Sequence, residues 1–113
     1  MKKAIAFTIY GEPASKANSR RWTGKYFIKS EKALKYAKSF VEQCPKEDPL
    51  LEGDLCLTLH IWYASRRPDL DESLILDLMQ GLIYVNDRQV KERHTYWHLD
   101  KDNPRTTIGV EQM

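Results

Sequence analysis

Residues 66–90 read RRPDLDESLILDLMQGLIYVNDRQV, a stretch with acidic residues on both sides of an apolar segment. Asp69 and Asp71 come just before an apolar segment that predicts a short helix over residues 72–81. A third carboxylate, Asp87, follows this segment at a predicted turn. Side chains at positions i and i+2 of a helix point about 200° apart, so the first two carboxylates can share a ligand only on extended backbone. Pro68 favours extended backbone at this point.

The spacing predicts that the carboxylate of Asp87 lies close to those of Asp69 and Asp71. A helix over residues 72–81 rises about 15 Å, and the five residues after it, if extended, return about 16 Å. Asp87 is therefore expected beside Asp69 and Asp71. Mg²⁺ relieves the repulsion within such a cluster, because it prefers oxygen ligands and binds carboxylates together with substrate phosphate oxygens. The chemistry that fits is phosphodiester hydrolysis. A second interpretation stays open, in which the Asp-x-Asp pair caps a helix and Asn86-Asp87 forms an ordinary turn.

Length and composition describe an ordinary globular protein. The 113 residues predict a single domain over 1–113, and 42% hydrophobic with 30% charged residues is typical of a folded domain. The chain contains no run long enough to span a membrane and no signal-peptide pattern. Cys44 and Cys56 lack metal-site spacing, so we expect free thiols and a cytoplasmic location.

The charge is distributed unevenly along the chain. Residues 1–38 hold ten basic residues against two acidic ones, whereas the remainder holds eight against fourteen. This split predicts a basic face for an anionic partner and a separate acidic centre. Residues 12–29 predict a long irregular segment, in which Trp22 and Tyr26 either stack on bases or fold onto the core. The candidate DNA-binding residues are Lys16, Arg20, Arg21, Lys25, Lys29, Arg67 and Arg88.

The remaining pattern predicts strands and helices in an α+β order. Alternating apolar residues predict strands over 3–10, 54–64, 89–99 and 106–111. A helix is expected from Glu31, with Ser30 as its N-cap and Pro45 as its stop. Its predicted buried stripe consists of Ala33, Leu34, Ala37, Phe40, Val41 and Cys44. His94 and His98 share a strand face about 13 Å apart, too far to ligate one metal together.

Taken together, these segments resemble the RusA-type Holliday-junction resolvases common in prophages. The resemblance runs through GEPASKANSRR, GKYFIKSEKALKY, RRPDLD and DLMQGLIYVNDRQV, and ends in a terminal hairpin. It implies a small mixed sheet of about four strands packed with two helices. It also implies an obligate homodimer that nicks four-way DNA junctions with Mg²⁺, or alternatively Mn²⁺. By position, Asp69, Asp71 and Asp87 match the metal-binding acidic residues of the family.

The sequence departs from the family pattern after Asp71. The family usually has D-x-D-N-x-x-K, whereas here Glu72 replaces the asparagine, no lysine follows at the catalytic position, and the segment is two residues shorter. Another cation such as Lys16, Arg67 or Arg88 would then have to substitute, or Glu72 would join the metal ligands. The missing lysine leaves open a junction-binding protein that cuts poorly. A second alternative is a non-nuclease interaction module, in which the three carboxylates only cap a helix and form a turn.

Overall fold

The computed structural model describes residues 2–14, 20–22, 27–29 and 31–113, with the backbone alone for 20–22 and 27–29. Its elements are β1 (Ala4–Tyr10), β2 (Arg20–Trp22), β3 (Phe27–Lys29), α1 (Glu31–Gln43), β4 (Leu55–Tyr63), α2 (Ser73–Met79), a 3₁₀ turn (Asp87–Gln89), β5 (Val90–Leu99) and β6 (Arg105–Gln112). Within these ranges, no helix combines the length and the apolar character that crossing a bilayer requires.

Four of the strands form one mixed sheet in the order β1-β6-β4-β5. Strand β6 is antiparallel to both β1 and β4, whereas β4 and β5 run parallel. The α+β prediction with a four-stranded mixed sheet and two helices is therefore confirmed. The prediction of a terminal hairpin is wrong. Strands β5 and β6 do not pair with each other, because β4 lies between them.

Strand β4 carries the core on one side only. Its inward residues are buried and alternate with half-buried ones, as its sequence predicted, and both helices belong to the core on this side of the sheet. The fully buried side chains are those of Leu55, Leu57, Leu59 and Ile61, with Tyr63 almost as deep. The opposite side of the sheet, called here the open face, carries Cys56, Thr58, His60 and Trp62 on β4, all half-buried.

Helix α1 ends two residues before Pro45, close to its predicted bounds, but its buried face differs from the prediction. Ala33, Tyr36 and Phe40 are the buried residues, while Leu34 is 55% exposed and Val41 is 51% exposed. The predicted cap Ser30 lies outside the described residues. Tyr36 instead belongs to the core, where its ring contacts that of Phe40 with centroids 6.1 Å apart.

The segment predicted as irregular contains a short antiparallel ribbon. Strands β2 and β3 pair through Arg20 with Lys29 and through Arg21 with Ile28. The prediction of an irregular segment is therefore wrong for these six residues.

After α2 the chain turns sharply instead of returning as an extended strand. The amides of Leu82 and Ile83 both donate to the carbonyl of Met79, and Gly81 adopts a φ of 84°. Tyr84 then forms single bridges with Leu51 and Gln80. The extended return over residues 82–86 is therefore wrong, although the segment still delivers Asp87 to a turn.

Candidate active site

Residues 68–72, called here the acidic segment, follow the end of β4 and lie against β5. The indole Nε1 of Trp97 donates to the carbonyl of Pro68 at 3.0 Å, and the backbone amide of Asp71 donates to the hydroxyl of Tyr63 at 3.3 Å. The rings of Tyr63 and Trp97 stack with centroids 5.9 Å apart. Two aromatic side chains from adjacent strands thus fix the backbone around Asp69, which is exposed.

Asp71 and Glu72 occupy the start of α2 in different ways. The carboxylate of Asp71 accepts the amide of Ser73 at 2.9 Å, which satisfies a backbone donor at the helix start. Glu72 reaches the other way, with its Oε1 3.5 Å from Nε of Arg93 on β5. Asp71 is nevertheless not the N-cap of α2: Glu72 occupies that position without a side-chain capping bond, and its ion pair links α2 to β5.

Acidic groups surround the Tyr63 hydroxyl. Burial raises the pKa of Tyr63, the amide of Asp71 counteracts this, and the charges of Asp71, Glu12 and Glu72 raise the pKa further. Glu12 accepts the amide of Ala64 at 2.7 Å and so holds the end of β4 against the chain that follows β1. Sequence reasoning missed Glu12, although its place in GEP immediately after a predicted strand was a usable signal.

Asp87 is positioned by a hydrogen-bonded 3₁₀ turn. The side chain of Asn86 accepts the amide of Arg88 at 2.9 Å, and the side chain of Gln89 accepts the amide of Asn86 at 3.0 Å. Gln89 also donates to the carbonyl of Leu51 at 2.9 Å, which fixes the turn to the body of the protein. The amide of Asp87 itself donates to the side chain of Gln80 at 3.0 Å. The dipeptide Asn86-Asp87 therefore forms a rigid corner.

A cavity of about 260 Å³ lies where this turn meets β5. Its lining is Leu76, Asp87, Val90, Lys91 and Arg93. Arg93 contacts Glu72 as well as this cavity, so it stands between the carboxylate at the start of α2 and the one at the turn. A larger concavity of about 410 Å³ on the open face has no acidic residue in its lining.

The three predicted aspartates do not form a single ligand set in the structure. Asp71 lies at the start of α2, and Asp87 lies at the cavity beyond its end. Across the described ranges, the one group of metal-type side chains with ligand atoms within 4.8 Å of one another is Cys56, Glu92 and His94. The donor chemistry of Asp69, Asp71, Glu72 and Asp87 nevertheless fits a hard divalent ion, because each offers carboxylate oxygens.

The predicted DNA-binding residues fall into three groups. Lys16 and Lys25 lie outside the described residues. Arg20, Arg21 and Lys29 lie on the β2–β3 ribbon, of which only the backbone is described. Arg67 and Arg88 are exposed, the first beside the acidic segment and the second next to Asp87.

Two cations beside Asp87 were missed by sequence reasoning. Lys91 and Arg93 line the Asp87 cavity, whereas the substitutes considered for the missing lysine were Lys16, Arg67 and Arg88. Their position four and six residues after Asp87, alternating along a predicted strand, was the available signal. The approach of β5 to the start of α2 was not visible in the local sequence.

A family model described as Endodeoxyribonuclease RusA matches residues 10–111. The chain belongs to the RusA endodeoxyribonuclease family. The match begins at the last residue of β1 and continues into β6, so it includes Glu12, the acidic segment, the turn at Asp87 and the cations of β5. No curated protein shows a significant match to the sequence. Membership in the RusA family indicates endodeoxyribonuclease activity and confirms the family resemblance seen in the sequence.

Proposed function

We propose that this RusA-family protein is a divalent-metal-dependent endonuclease that nicks four-way DNA junctions as a homodimer. The observation that carries the proposal is that Arg93 lies 3.5 Å from Glu72 and also lines the cavity that contains Asp87, with Asp71 adjoining Glu72. Carboxylates on one side and cations on the other suit a site that holds both a metal ion and a phosphate.

In the proposed site, Asp69, Asp71 and Asp87 hold Mg²⁺ or Mn²⁺, and Glu72 is a candidate fourth carboxylate. When bound, such an ion supplies an activated water and neutralises charge on the scissile phosphate. Asp71 can serve only through oxygen lone pairs not used by the Ser73 amide, since one oxygen already accepts that bond. The rigid corner at residues 86–89 would keep Asp87 in place while the acidic segment adjusts.

Lys91 and Arg93 are proposed to supply the positive charge that the usual family lysine would provide. Both line the cavity that contains Asp87, and both side chains are largely exposed, so an incoming phosphate can reach them. A cation placed where negative charge develops stabilises the transition state. Exposed Arg67 and Arg88 would extend this positive surface along the DNA, together with the basic residues of the first 38 positions.

A synthetic four-way junction with Mg²⁺ tests the proposal. We expect symmetric nicks from the wild type, and we expect Asp71→Asn and Asp87→Asn to retain junction binding. Their cleavage rates should fall by more than the roughly 10- to 100-fold typical of residues that only support metal ligands. Asp77→Asn is the matched control, because Asp77 lies on α2 but outside the proposed ligand set.

The second candidate function is junction binding with little cleavage. It is favoured by the separation of the three aspartates and by the absence of a lysine at the family position. Wild-type protein that binds the junction but yields no metal-dependent product would support this function and overturn the first. An interaction module would show neither DNA affinity nor a rise in melting temperature with Mg²⁺.

A further inference from the structure

A second group of metal-type side chains lies on the open face, on the other side of the sheet from both helices. Cys56 on β4 and Glu92 and His94 on β5 each offer one ligand atom, and these atoms all lie within 4.8 Å of one another. The contact between His94 Nε2 and Glu92 Oε1 is 2.9 Å. Alone, this pair would be an ordinary surface contact, but Cys56 adds a third donor from a different strand.

A β-bulge produces this arrangement. Leu55 pairs with Val90, but the next residue of β4, Cys56, pairs with Glu92, so Lys91 is the extra residue. Without this shift the lysine would be the partner of Cys56. A bulge redirects side chains locally, and here it places a carboxylate beside the thiol and sends the lysine into the cavity of Asp87.

A second carboxylate flanks the thiol from the opposite strand. Glu111 on β6 is the antiparallel partner of Cys56. Residues paired across a sheet point to the same face, so Cys56 stands in a row between Glu92 and Glu111. A deprotonated thiol, two carboxylates and a neutral imidazole carry a combined negative charge that a dication compensates.

We propose that Cys56, Glu92 and His94 bind a borderline-soft divalent ion of the Zn²⁺ class, with Glu111 or water as the fourth ligand. Thiolate, imidazole and carboxylate are the donors that Zn²⁺ takes in proteins, usually four in a tetrahedron. Mg²⁺ and Ca²⁺ prefer all-oxygen sites, so the mixed donors distinguish this site from the carboxylate site at α2. The half-buried thiol and the exposed carboxylate and imidazole leave the site accessible to an ion from solution.

The bound ion would cross-link β4 and β5 at the bulge. Lys91, the bulged residue, and Arg93, between the two proposed ligands on β5, both line the Asp87 cavity. Occupancy of the open-face site would therefore hold the strand segment that presents these two cations. The proposal concerns metal binding alone and does not require that the protein cleaves DNA.

Cobalt(II) absorption on the metal-free full chain tests the site without any DNA. We expect a thiolate-to-cobalt charge-transfer band in the near ultraviolet, displaced by Zn²⁺, and a melting temperature that rises with Zn²⁺. Cys56→Ser should abolish the band, and His94→Gln and Glu92→Gln should each weaken Zn²⁺ binding by at least about tenfold. The last two variants change exposed side chains, so circular dichroism should show an unchanged fold.

Two control variants make the outcome specific. Cys44→Ser removes the other free thiol and should keep the band. Asp71→Asn should also keep it, because Asp71 belongs to the separate carboxylate site. The proposal is overturned by an absent band in the wild type, by a band that survives in Cys56→Ser, or by a band lost in either control. Failure of junction cleavage would overturn the proposed nuclease function and leave the metal site standing.

Discussion

The hydroxyl of Tyr84 links the core to helix α2, beside the candidate active site. The side chain is fully buried, and its hydroxyl donates to the carbonyl of Leu76 in α2 at 2.7 Å. Burial raises the pKa of Tyr84 above its ordinary range, and the charges of Asp87 and Asp77 raise it further. The raised pKa keeps the hydroxyl protonated at neutral pH, so that it remains a hydrogen-bond donor to α2.

Replacing Tyr84 with phenylalanine should destabilise the protein. The carbonyl of Leu76 would lose its buried partner, and an unsatisfied buried group costs about 1–3 kcal/mol. Urea unfolding should show a lower midpoint with an unchanged slope. Tyr96→Phe is the matched control, because Tyr96 is 46% exposed and its loss should change stability by no more than about 0.5 kcal/mol. Equal effects of the two substitutions would contradict the role given to the Leu76 bond.

Local sequence identified the acidic residues but not the residues that face them. Asp69, Asp71 and Asp87 could be named as candidates because carboxylates at a strand end and at a turn are recognisable from composition and spacing. The apposition of Glu72 and Arg93 could not, because it joins residues on a helix and a strand that pack only in the folded chain. The proximity of Cys56 to Glu92 was also hidden, because a bulge shifts pairing by one residue without changing the alternation of the sequence.

Among the elements, the turn after α2 decides where Asp87 lies. Gly81 has a φ of 84°, in the region that residues other than glycine avoid. No neighbouring atom lies within 4 Å of the position that a Cβ would occupy. The amide of Gly81 donates to the carbonyl of Tyr84 at 2.8 Å, which closes the turn. Glycine is required here for backbone conformation and not for space.

Gly81→Ala should therefore destabilise the fold by about 1–2 kcal/mol, the approximate cost of left-handed backbone for an L-residue. Gly109→Ala is the control, since its nearest contact would be an ordinary 3.8 Å to the carbonyl of Thr58 and its φ is not positive. Thermal unfolding followed by circular dichroism measures both. If Gly109→Ala destabilised the protein as much as Gly81→Ala, the cause would be steric fit and not backbone conformation.

Elements with strong local patterns were predictable, and elements set by distant pairing were not. The alternation in β4 fixed both its bounds and its buried side, because a strand with one covered face repeats every two residues. The face of α1 was ambiguous, since Leu34 and Tyr36 both continue a helical repeat with Ala33 and Phe40. The insertion of β4 between β5 and β6 depends on pairs of residues at least 35 positions apart in the chain, which no local pattern encodes.

At the scale of the whole molecule, helix α1 adds a basic surface to the proposed DNA-binding residues. Lys32, Lys35 and Lys38 are exposed along this helix. Lys32 lies 3.2 Å from Glu12, and Lys35 lies 3.5 Å from Glu31. Surface pairs of this kind contribute little stability, so phosphates can replace the carboxylates as partners.

Removing two of these charges should weaken DNA binding and reduce its dependence on salt. Each lost phosphate contact lowers the slope of log affinity against log salt by about 0.9. We therefore expect Lys35→Ala combined with Lys38→Ala to lower the measured slope, with junction affinity followed by fluorescence anisotropy across a salt series. Lys101→Ala is the control, because Lys101 lies in the β5–β6 turn between two aspartates. An unchanged slope in the double variant would show that the DNA does not contact these two lysines.

The proposed homodimer would account for the symmetric nicks that we expect, because two equivalent sites related by a two-fold axis match two equivalent strands of the junction. A mixed dimer separates the contributions of the two sites. Wild-type and Asp71→Asn chains carrying different affinity tags can be refolded together, and the dimer that retains both tags can be purified. Analytical ultracentrifugation should give this species twice the 13.3 kDa of one chain.

We expect the mixed dimer to nick one strand of a four-way junction and to leave the opposite strand intact. Each active site acts on its own strand, so the loss of one carboxylate should remove one nick and leave the other near its usual rate. Labelling the junction at both cleavable strands resolves the two events on a denaturing gel. Nicks on both strands within one binding event would show that a single site serves both strands, and a particle of 13.3 kDa that still resolves junctions would exclude the dimer altogether.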